Sequence, residues 1–155
     1  MCLQIGYLNC EAVACEGQSG GLALFWEDGL DVRLLSKGRY HIDVEIHAVD
    51  GSGMNWRLTG FYGHPSAADR EVSQALLRDL GDVSSLPWIV VGDFNEIVHN
   101  GEKDGGVSRN ESQMRRFQSA LDDTALLDLG YFGALFTWQG GGVRCRLNRA
   151  VATPP

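Results

Sequence analysis

Pro87-Trp88-Ile89-Val90-Val91-Gly92-Asp93-Phe94-Asn95 is the stretch on which the reading of this chain depends. The run Leu86 to Val91 is apolar without alternation, with Gly81 and Pro87 before it and Gly92 after it, the pattern of a central strand covered on both faces. Asp93 therefore stands at that strand's carboxyl end. Asn95, two residues on, projects to the same side of an extended backbone, so an anion and a neutral amide sit together where the strand stops. The carboxylate can orient or deprotonate a water or sit near a magnesium ion, and the amide can donate to a phosphoryl oxygen as charge develops. Asp-x-Asn also occurs in turns that follow strands, for local hydrogen bonding alone. By itself the pair leaves both readings open.

Working outward, Ser66 with Asp69 has the form of a capping box, and Val72, Leu76 and Leu80 recur every four residues, which predicts a surface helix of about four turns. Before it, Tyr40 to Val49 alternates, with Ile42, Val44, Ile46 and Ala48 on one side and His41, Asp43, Glu45 and His47 on the other. Asn55 to Tyr62 returns antiparallel across the turn Asp50-Gly51-Ser52-Gly53. The glycine-led run Gly20 to Trp26 reads as a buried strand, with Leu30 to Leu35 as its hairpin partner. Downstream, Gly101 to Arg109 is a polar loop, and Asn110 and Gln113 are placed to cap a helix turning Met114, Phe117 and Leu121 inward. Phe136-Thr137-Trp138 and Val143 to Val151 read as short strands about Gly140-Gly141-Gly142. This order predicts an α/β sandwich of mixed sheets with helices outside.

With 155 residues, 44% of them hydrophobic, the chain has the size of one globular domain spanning 1–155, without repeat or linker. No stretch approaches the roughly 18 to 20 apolar residues that span a bilayer, and the start lacks the order of a signal peptide, so a soluble intracellular protein is expected. Cys2, Cys10, Cys15 and Cys145 show no CxxC spacing and are expected as free or partly buried thiols. A net charge of −7 supplies no long-range attraction for a phosphate backbone and counts against a simple DNA-binding module. It counts less against a metal-dependent nuclease, whose carboxylates keep the site acidic until the cation arrives.

Several motifs in a fixed order resemble the apurinic-type endonuclease domain of plant LINE-type (non-LTR) retrotransposons, a branch of the endonuclease/exonuclease/phosphatase superfamily. They are Ser19 to Trp26, Thr59-Gly60-Phe61-Tyr62-Gly63-His64-Pro65, Pro87 to Glu96, Glu102-Lys103-Asp104-Gly105-Gly106, Leu127-Asp128-Leu129-Gly130-Tyr131, Phe136-Thr137-Trp138 and Arg146-Leu147-Asn148-Arg149-Ala150. The resemblance implies a DNase I-like fold: a four-layer α/β sandwich, here incomplete, of two mixed and mainly antiparallel sheets flanked by helices. It implies Mg2+-dependent phosphodiester hydrolysis, with DNA as partner, a nuclear location, and the rest of a reverse-transcriptase polyprotein alongside.

Carried over residue by residue, Tyr62 hydrogen-bonds near the scissile phosphate, Asp93 positions or activates the water, Asn95 holds the phosphate or the developing oxyanion, and Thr137 lines the groove. Trp138 is expected in the core, with stacking on DNA as the alternative. His41, His47, His64 and His99 match no catalytic position, and the charges from Glu102 to Asp104 read as a solvated loop. Gly92, Gly105 and Gly106 are expected to permit turns.

Three departures stand out. The family's opening segments, which carry an asparagine and the principal metal-ligating glutamate, find no match after Met1. Its closing Ser-Asp-His finds none before Pro155. Its Arg-Leu-Asp-Arg reads Arg146-Leu147-Asn148-Arg149, so Asn148 keeps the shape of a substrate-contacting aspartate and loses its charge. Of the metal ligands only Asp93 is left as a candidate. The expectation is a domain lacking both terminal segments whose hydrolysis is impaired or lost. The alternative is a catalytically dead interaction or weak nucleic-acid-binding remnant, and a third reading is a phosphatase of small substrates.

Overall fold

The computed structural model describes residues 6–15, 20–49 and 53–154. Strands β1 (Asn9–Val13) and β2 (Leu22–Trp26) pair antiparallel with each other. Strands β3 (Asp31–Gly38), β4 (His41–His47) and β5 (Trp56–Tyr62) follow as an antiparallel meander. Helix α1 (Arg70–Gly81) then carries the chain back so that β6 (Trp88–Asp93) lies parallel to β5, as a parallel pair requires a crossover. Beyond a 3-10 turn over Asn100–Glu102 come β7 (Lys103–Asp104), α2 (Glu111–Asp123), β8 (Leu127–Asp128), β9 (Trp138–Gly140), β10 (Val143–Cys145) and β11 (Asn148–Ala152). The main sheet has the order β3-β4-β5-β6-β11-β8, and β7-β10-β9 form a small one. The mixed α/β class expected from the sequence is the one observed.

Both helices cover one face of the main sheet. Leu77 and Leu80 of α1 and Phe117, Ala120 and Leu121 of α2 close over Phe61, Trp88, Val90, Phe94 and Val151 in a single apolar cluster. On the opposite face Ile42 and Val44 are buried, where the β1–β2 pair lies against β4 and β5. The helix-side core also holds a charge. Arg57 Nε and Nη2 donate to the Asp43 carboxylate at 2.9 and 2.8 Å, and Nη1 donates to the Leu80 carbonyl at 2.7 Å. Thr59 Oγ1 donates to Asp43 and accepts from Trp88 Nε1, both at 2.7 Å. Every group is paired, which is the condition for such a network to be tolerated in a low-dielectric interior.

Several local expectations change. β2 pairs with β1 rather than with Leu30 to Leu35, which belongs to β3 and pairs with β4. The β4–β5 hairpin forms as read, with three residues of its turn, 50–52, outside the described residues. Asp43 is buried instead of facing solvent because Arg57 and Thr59 complete its hydrogen bonding. Asp69 precedes α1 without a side-chain cap bond, whereas Asn110 Oδ1 caps α2 by accepting from Ser112 N at 2.8 Å. β6 is covered fully on one face only: Trp88 and Val90 are buried, and Val91 is 37% exposed. Cys10 is disulfide-bonded, while Cys15 and Cys145 are free. Trp138 is exposed, stacked over the backbone at Gly140 rather than in the core.

The inward face of α1 is also rotated from the one read. Ser73, Gln74, Leu77 and Leu80 are buried, and Val72 is exposed, because the apolar residues at 77 and 80 meet Phe61 and Trp88. Leu77→Ala should therefore cost about 2–5 kcal/mol in urea denaturation. Val72→Ala should stay within about 0.5 kcal/mol. Equal losses from the two would place the helix in the other register.

Candidate functional site

The parallel β5–β6 pair and the antiparallel β6–β11 pair bring three side chains abreast. Tyr62 pairs with Asp93, and Asp93 pairs with Asn148. On β5 residues 57, 59 and 61 face the helices, on β6 residues 88 and 90, and on β11 residues 149 and 151. Side-chain alternation then turns Tyr62, Asp93 and Asn148 to the opposite face, at one end of the sheet. Tyr62 and Asp93 are half-buried, and Asn148 is exposed.

Glycines allow this approach. A Cβ at Gly92 would stand 1.9 Å from the Phe61 carbonyl oxygen, and one at Gly63 would stand 2.1 Å from that of Phe94. Gly92, expected as a turn residue, lies within β6 at φ +150. Gly105 and Gly106 do make a turn, at φ +81 and +63.

Asp93 Oδ1 accepts the Asn95 backbone N–H at 2.8 Å, and Asn95 takes a left-handed φ of 54 to present it. Asn95 Nδ2 donates to the Gly63 carbonyl at 2.8 Å, and Gly63 N donates to the Asp93 carbonyl at 2.6 Å. One amide hydrogen of Asn95 is thus committed to holding the loop after Tyr62. Its second hydrogen and its Oδ1 have no hydrogen-bond partner among the described residues. Burial raises the Asp93 pKa above its ordinary value, partly offset by the Asn95 N–H and the charge of Arg70. That makes it a stronger base than a solvated aspartate. Thr137, expected to line the groove, is exposed, and its Oγ1 accepts from both Leu147 N and Asn148 N at 3.0 Å. It fixes the backbone that carries Asn148. His64, which matches no catalytic position, makes a local turn contact, accepting from Ser66 N through Nδ1.

Buried ion pairs support these loops. Glu96, 1% exposed and next to Asn95, takes Arg70 Nη1 at 3.0 Å, while Arg109 Nε lies 2.9 Å away outside hydrogen-bond geometry. Arg70 Nη2 also donates to the Pro65 carbonyl at 3.4 Å, so one guanidinium spans the loops after β5 and β6. Glu102, read as part of a solvated loop, is likewise 1% exposed. It accepts from Arg146 Nη1, Arg149 Nη2 and Val98 N, each at 2.8 Å, and Asp128 accepts from the same two arginines. Arg146 and Arg149 flank Leu147-Asn148, so this quartet grips the third strand on both sides of its site residue. The repeated arginines of Arg146-Leu147-Asn148-Arg149 were the available signal; their acidic partners are too distant in sequence to show it.

Among the described residues no group of three or more His, Cys, Asp and Glu side chains converges to hold a metal. Mg2+ takes near-octahedral oxygen ligands, commonly one or two carboxylates with waters and substrate phosphates. Asp93 is the one carboxylate of the strand-end cluster. The described residues do not by themselves fit the Mg2+ that the resemblance implies. No helix among them is long and apolar enough to cross a membrane.

A family model described as "Endonuclease/Exonuclease/phosphatase family" matches residues 12–155. The endonuclease domain of TRAS1, a telomere-specific non-LTR retrotransposon, superposes with a TM-score of 0.64 at 15% identity, covering 93% of this chain and 67% of that one. A variant of the 3' phosphatase NExo from Neisseria, bound to product DNA hairpin, gives 0.67 at 19% identity, covering 98% and 69%. Beta toxin from Staphylococcus aureus gives 0.56 at 15%, covering 86% and 53%. These likenesses show a DNase I-like fold. No curated protein matches the chain.

Acid titration tests the quartet. Burial pushes the Glu102 carboxyl up, but hydrogen bonds from Arg149, Val98 and Arg146 outweigh it, and Glu102 ends below its ordinary 4.5. Asp128 ends below 3.8 by the same balance, burial against Arg146 and the Gly130 N–H. The unfolded state binds the extra protons between the folded and unfolded values, so this stability is complete above the ordinary carboxylate range and lost as pH falls through the lowered values. Asp93, raised, contributes with the opposite sign: its stabilisation is lost as pH rises through its folded value. Urea midpoints should therefore fall on acidification below about pH 4.5, with a shallower slope in Glu102→Gln. At neutral pH that variant should lose about 3–5 kcal/mol, since it strands buried arginine charge.

Proposed function

Since the chain belongs to the endonuclease/exonuclease/phosphatase family, we propose that its strand-end site acts on phosphodiesters of DNA, as an endonuclease-like domain of non-LTR retrotransposon descent with impaired hydrolysis. The observation that carries this is the alignment of Tyr62, Asp93 and Asn148 on three adjacent strands, with Asn95 folded against them. Asp93 accepts a proton from the attacking water as the water oxygen bonds to phosphorus and the bond from phosphorus to one sugar oxygen breaks, that oxygen taking a proton from solvent. The Tyr62 hydroxyl and the uncommitted Asn95 amide hydrogen donate to phosphoryl oxygens as negative charge builds on them. Asn148 holds the shape of the site without the charge that the resembling family carries there, and this amide is one of the departures on which the expected impairment rests. The family is generally metal-dependent, and toward a cation the described strand ends offer the Asp93 carboxylate alone. A nuclear location and a reverse-transcriptase polyprotein as companion belong to the same proposal and rest on the motif resemblance.

A second reading, a DNA-binding remnant without turnover, is favoured by the same Asn148 and by the lack of a converging acidic group among the described residues. Supercoiled plasmid with Mg2+ separates the two. The hydrolytic reading expects slow nicking that disappears in Asp93→Ala and rises by roughly a hundredfold in Asn148→Asp. Nicking at background in both the native chain and Asn148→Asp, with salt-sensitive DNA affinity retained in chelator, would instead assign binding alone. Cleavage of a small phosphomonoester without nicking would move the substrate to the phosphatase class.

A further inference from the structure

The segment that joins β8 to β9 leaves from the site and returns to it. At its start Gly130 N donates to Asp128 Oδ1 at 2.7 Å, and the Gly130 carbonyl accepts from Arg146 Nη2 at 3.2 Å. At its end Thr137 N donates to the Cys145 carbonyl, and Thr137 Oγ1 accepts from Leu147 and Asn148. One foot of the loop is therefore held by the Asp128 and Arg146 side chains and the other by the Cys145 to Asn148 backbone, beside the third residue of the strand-end cluster. Between the feet the chain reads Tyr131-Phe132-Gly133-Ala134-Leu135-Phe136, with no charged residue. Phe132 is fully exposed, and Tyr131 is 58% exposed, with its ring centroid 5.3 Å from the Arg146 guanidinium.

Charge is partitioned along the chain in a way that favours the same place. All 20 acidic residues lie within the first 128 positions, and the stretch from Leu129 onward carries Arg144, Arg146 and Arg149 and no carboxylate side chain. The acids bound to these arginines are neutralised by them, Glu102 and Asp128 by Arg146 and Arg149, and Asp104 by Arg144. In a chain of net charge −7 the loop is thus a surface that a polyanion can approach. A solvent-facing aromatic at such a surface is suited to cover a nucleobase, since every base offers a π-face and stacking needs no hydrogen-bond match.

We propose that Phe132, with Tyr131 beside it, is a stacking platform for an unpaired nucleobase of the nucleic acid whose phosphate lies at the Tyr62–Asp93–Asn148 edge. The proposal rests on the nucleic-acid reading of the site and adds how the polymer is gripped beyond its phosphate. The arginine-backed Tyr131 ring forms the inner, braced part of the platform, and Phe132 forms the outer part.

The test uses the full chain in chelator, so that binding is read without cleavage, and fluorescence anisotropy with two labelled single strands: an oligothymidylate and a strand of equal length whose sugars carry no bases. The native chain should bind the base-bearing strand more tightly. Phe132→Ala, a change at a fully exposed side chain that leaves the fold intact, should weaken that binding about 5- to 100-fold and leave the base-free strand unchanged. Phe132→Trp should restore it. Equal affinity of the native chain for the two strands, or no effect of Phe132→Ala on either, overturns the platform while leaving phosphate recognition standing. Binding of neither strand overturns the platform and the nucleic-acid reading together. A Phe132→Ala chain whose only change is loss of concentration-dependent self-association in sedimentation would give the surface to a second copy and likewise overturn it.

Discussion

The close approach of β5 and β6 is the constraint from which the site follows. Two strands that run parallel must be joined by a crossover, and α1 supplies it on the face that α2 also covers, while Tyr62, Asp93 and Asn148 turn to the other. Where these strands end, the backbones come too near for side chains. Gly92 passes the Phe61 carbonyl, and Gly63 passes the Phe94 carbonyl, each at a distance that no Cβ tolerates. The hydrogen bond from Gly63 N to the Asp93 carbonyl closes the contact at 2.6 Å. The carboxylate and the phenol are therefore held in register by backbone, with no side chain between them to give way.

Buried charge does the remaining positioning. Arg57 with Asp43 joins β4, β5 and the end of α1; Arg70 with Glu96 joins the loops after β5 and β6; Arg146 and Arg149 with Glu102 and Asp128 hold the start of β11. Apolar packing could supply as much stability, since desolvating an ion pair offsets most of what its attraction returns. Guanidinium forks add direction. Each reaches two or more elements at fixed angles, so the loops around the site have one arrangement that satisfies every donor. Glu96 follows Asn95 in sequence, yet its carboxylate is turned to Arg70 at the start of α1.

Periodicity and turn chemistry made the fold class, the β4–β5 hairpin, the inward face of α2 and the strand-end position of Asp93 legible in the sequence. Failures came where partners decide. Val72 fits a helical repeat as well as Leu77 does, and only Phe61 and Trp88 across the sheet select the latter. Asp43 looks like the polar side of an alternating strand until Arg57, fourteen residues on, neutralises it. Glu102 sits in a run of polar residues and glycines and still goes inside, because Arg146 and Arg149 arrive from more than forty residues away. Long-range ionic pairing leaves no period, so composition alone assigns such residues to solvent. At the site, motif order brought Tyr62, Asp93 and Asn148 to notice, whereas the shared hydrogen bonds of Asn95 and Thr137 emerge only in three dimensions.

Asn148 has a physical consequence beyond the loss of a charge. Its register places it directly across from Asp93, whose pKa burial already raises. A carboxylate at position 148 would set a second negative charge beside the first, and neither would ionise freely without a cation between them. Such a pair is useful to a metal-dependent hydrolase and costly to the same protein without its metal. With an amide there, the strand ends carry one carboxylate, and Thr137 can hold the 147–148 backbone with no like-charge repulsion to oppose it. An asparagine at this position thus suits a site that is stable without metal, the direction in which stability and activity commonly trade.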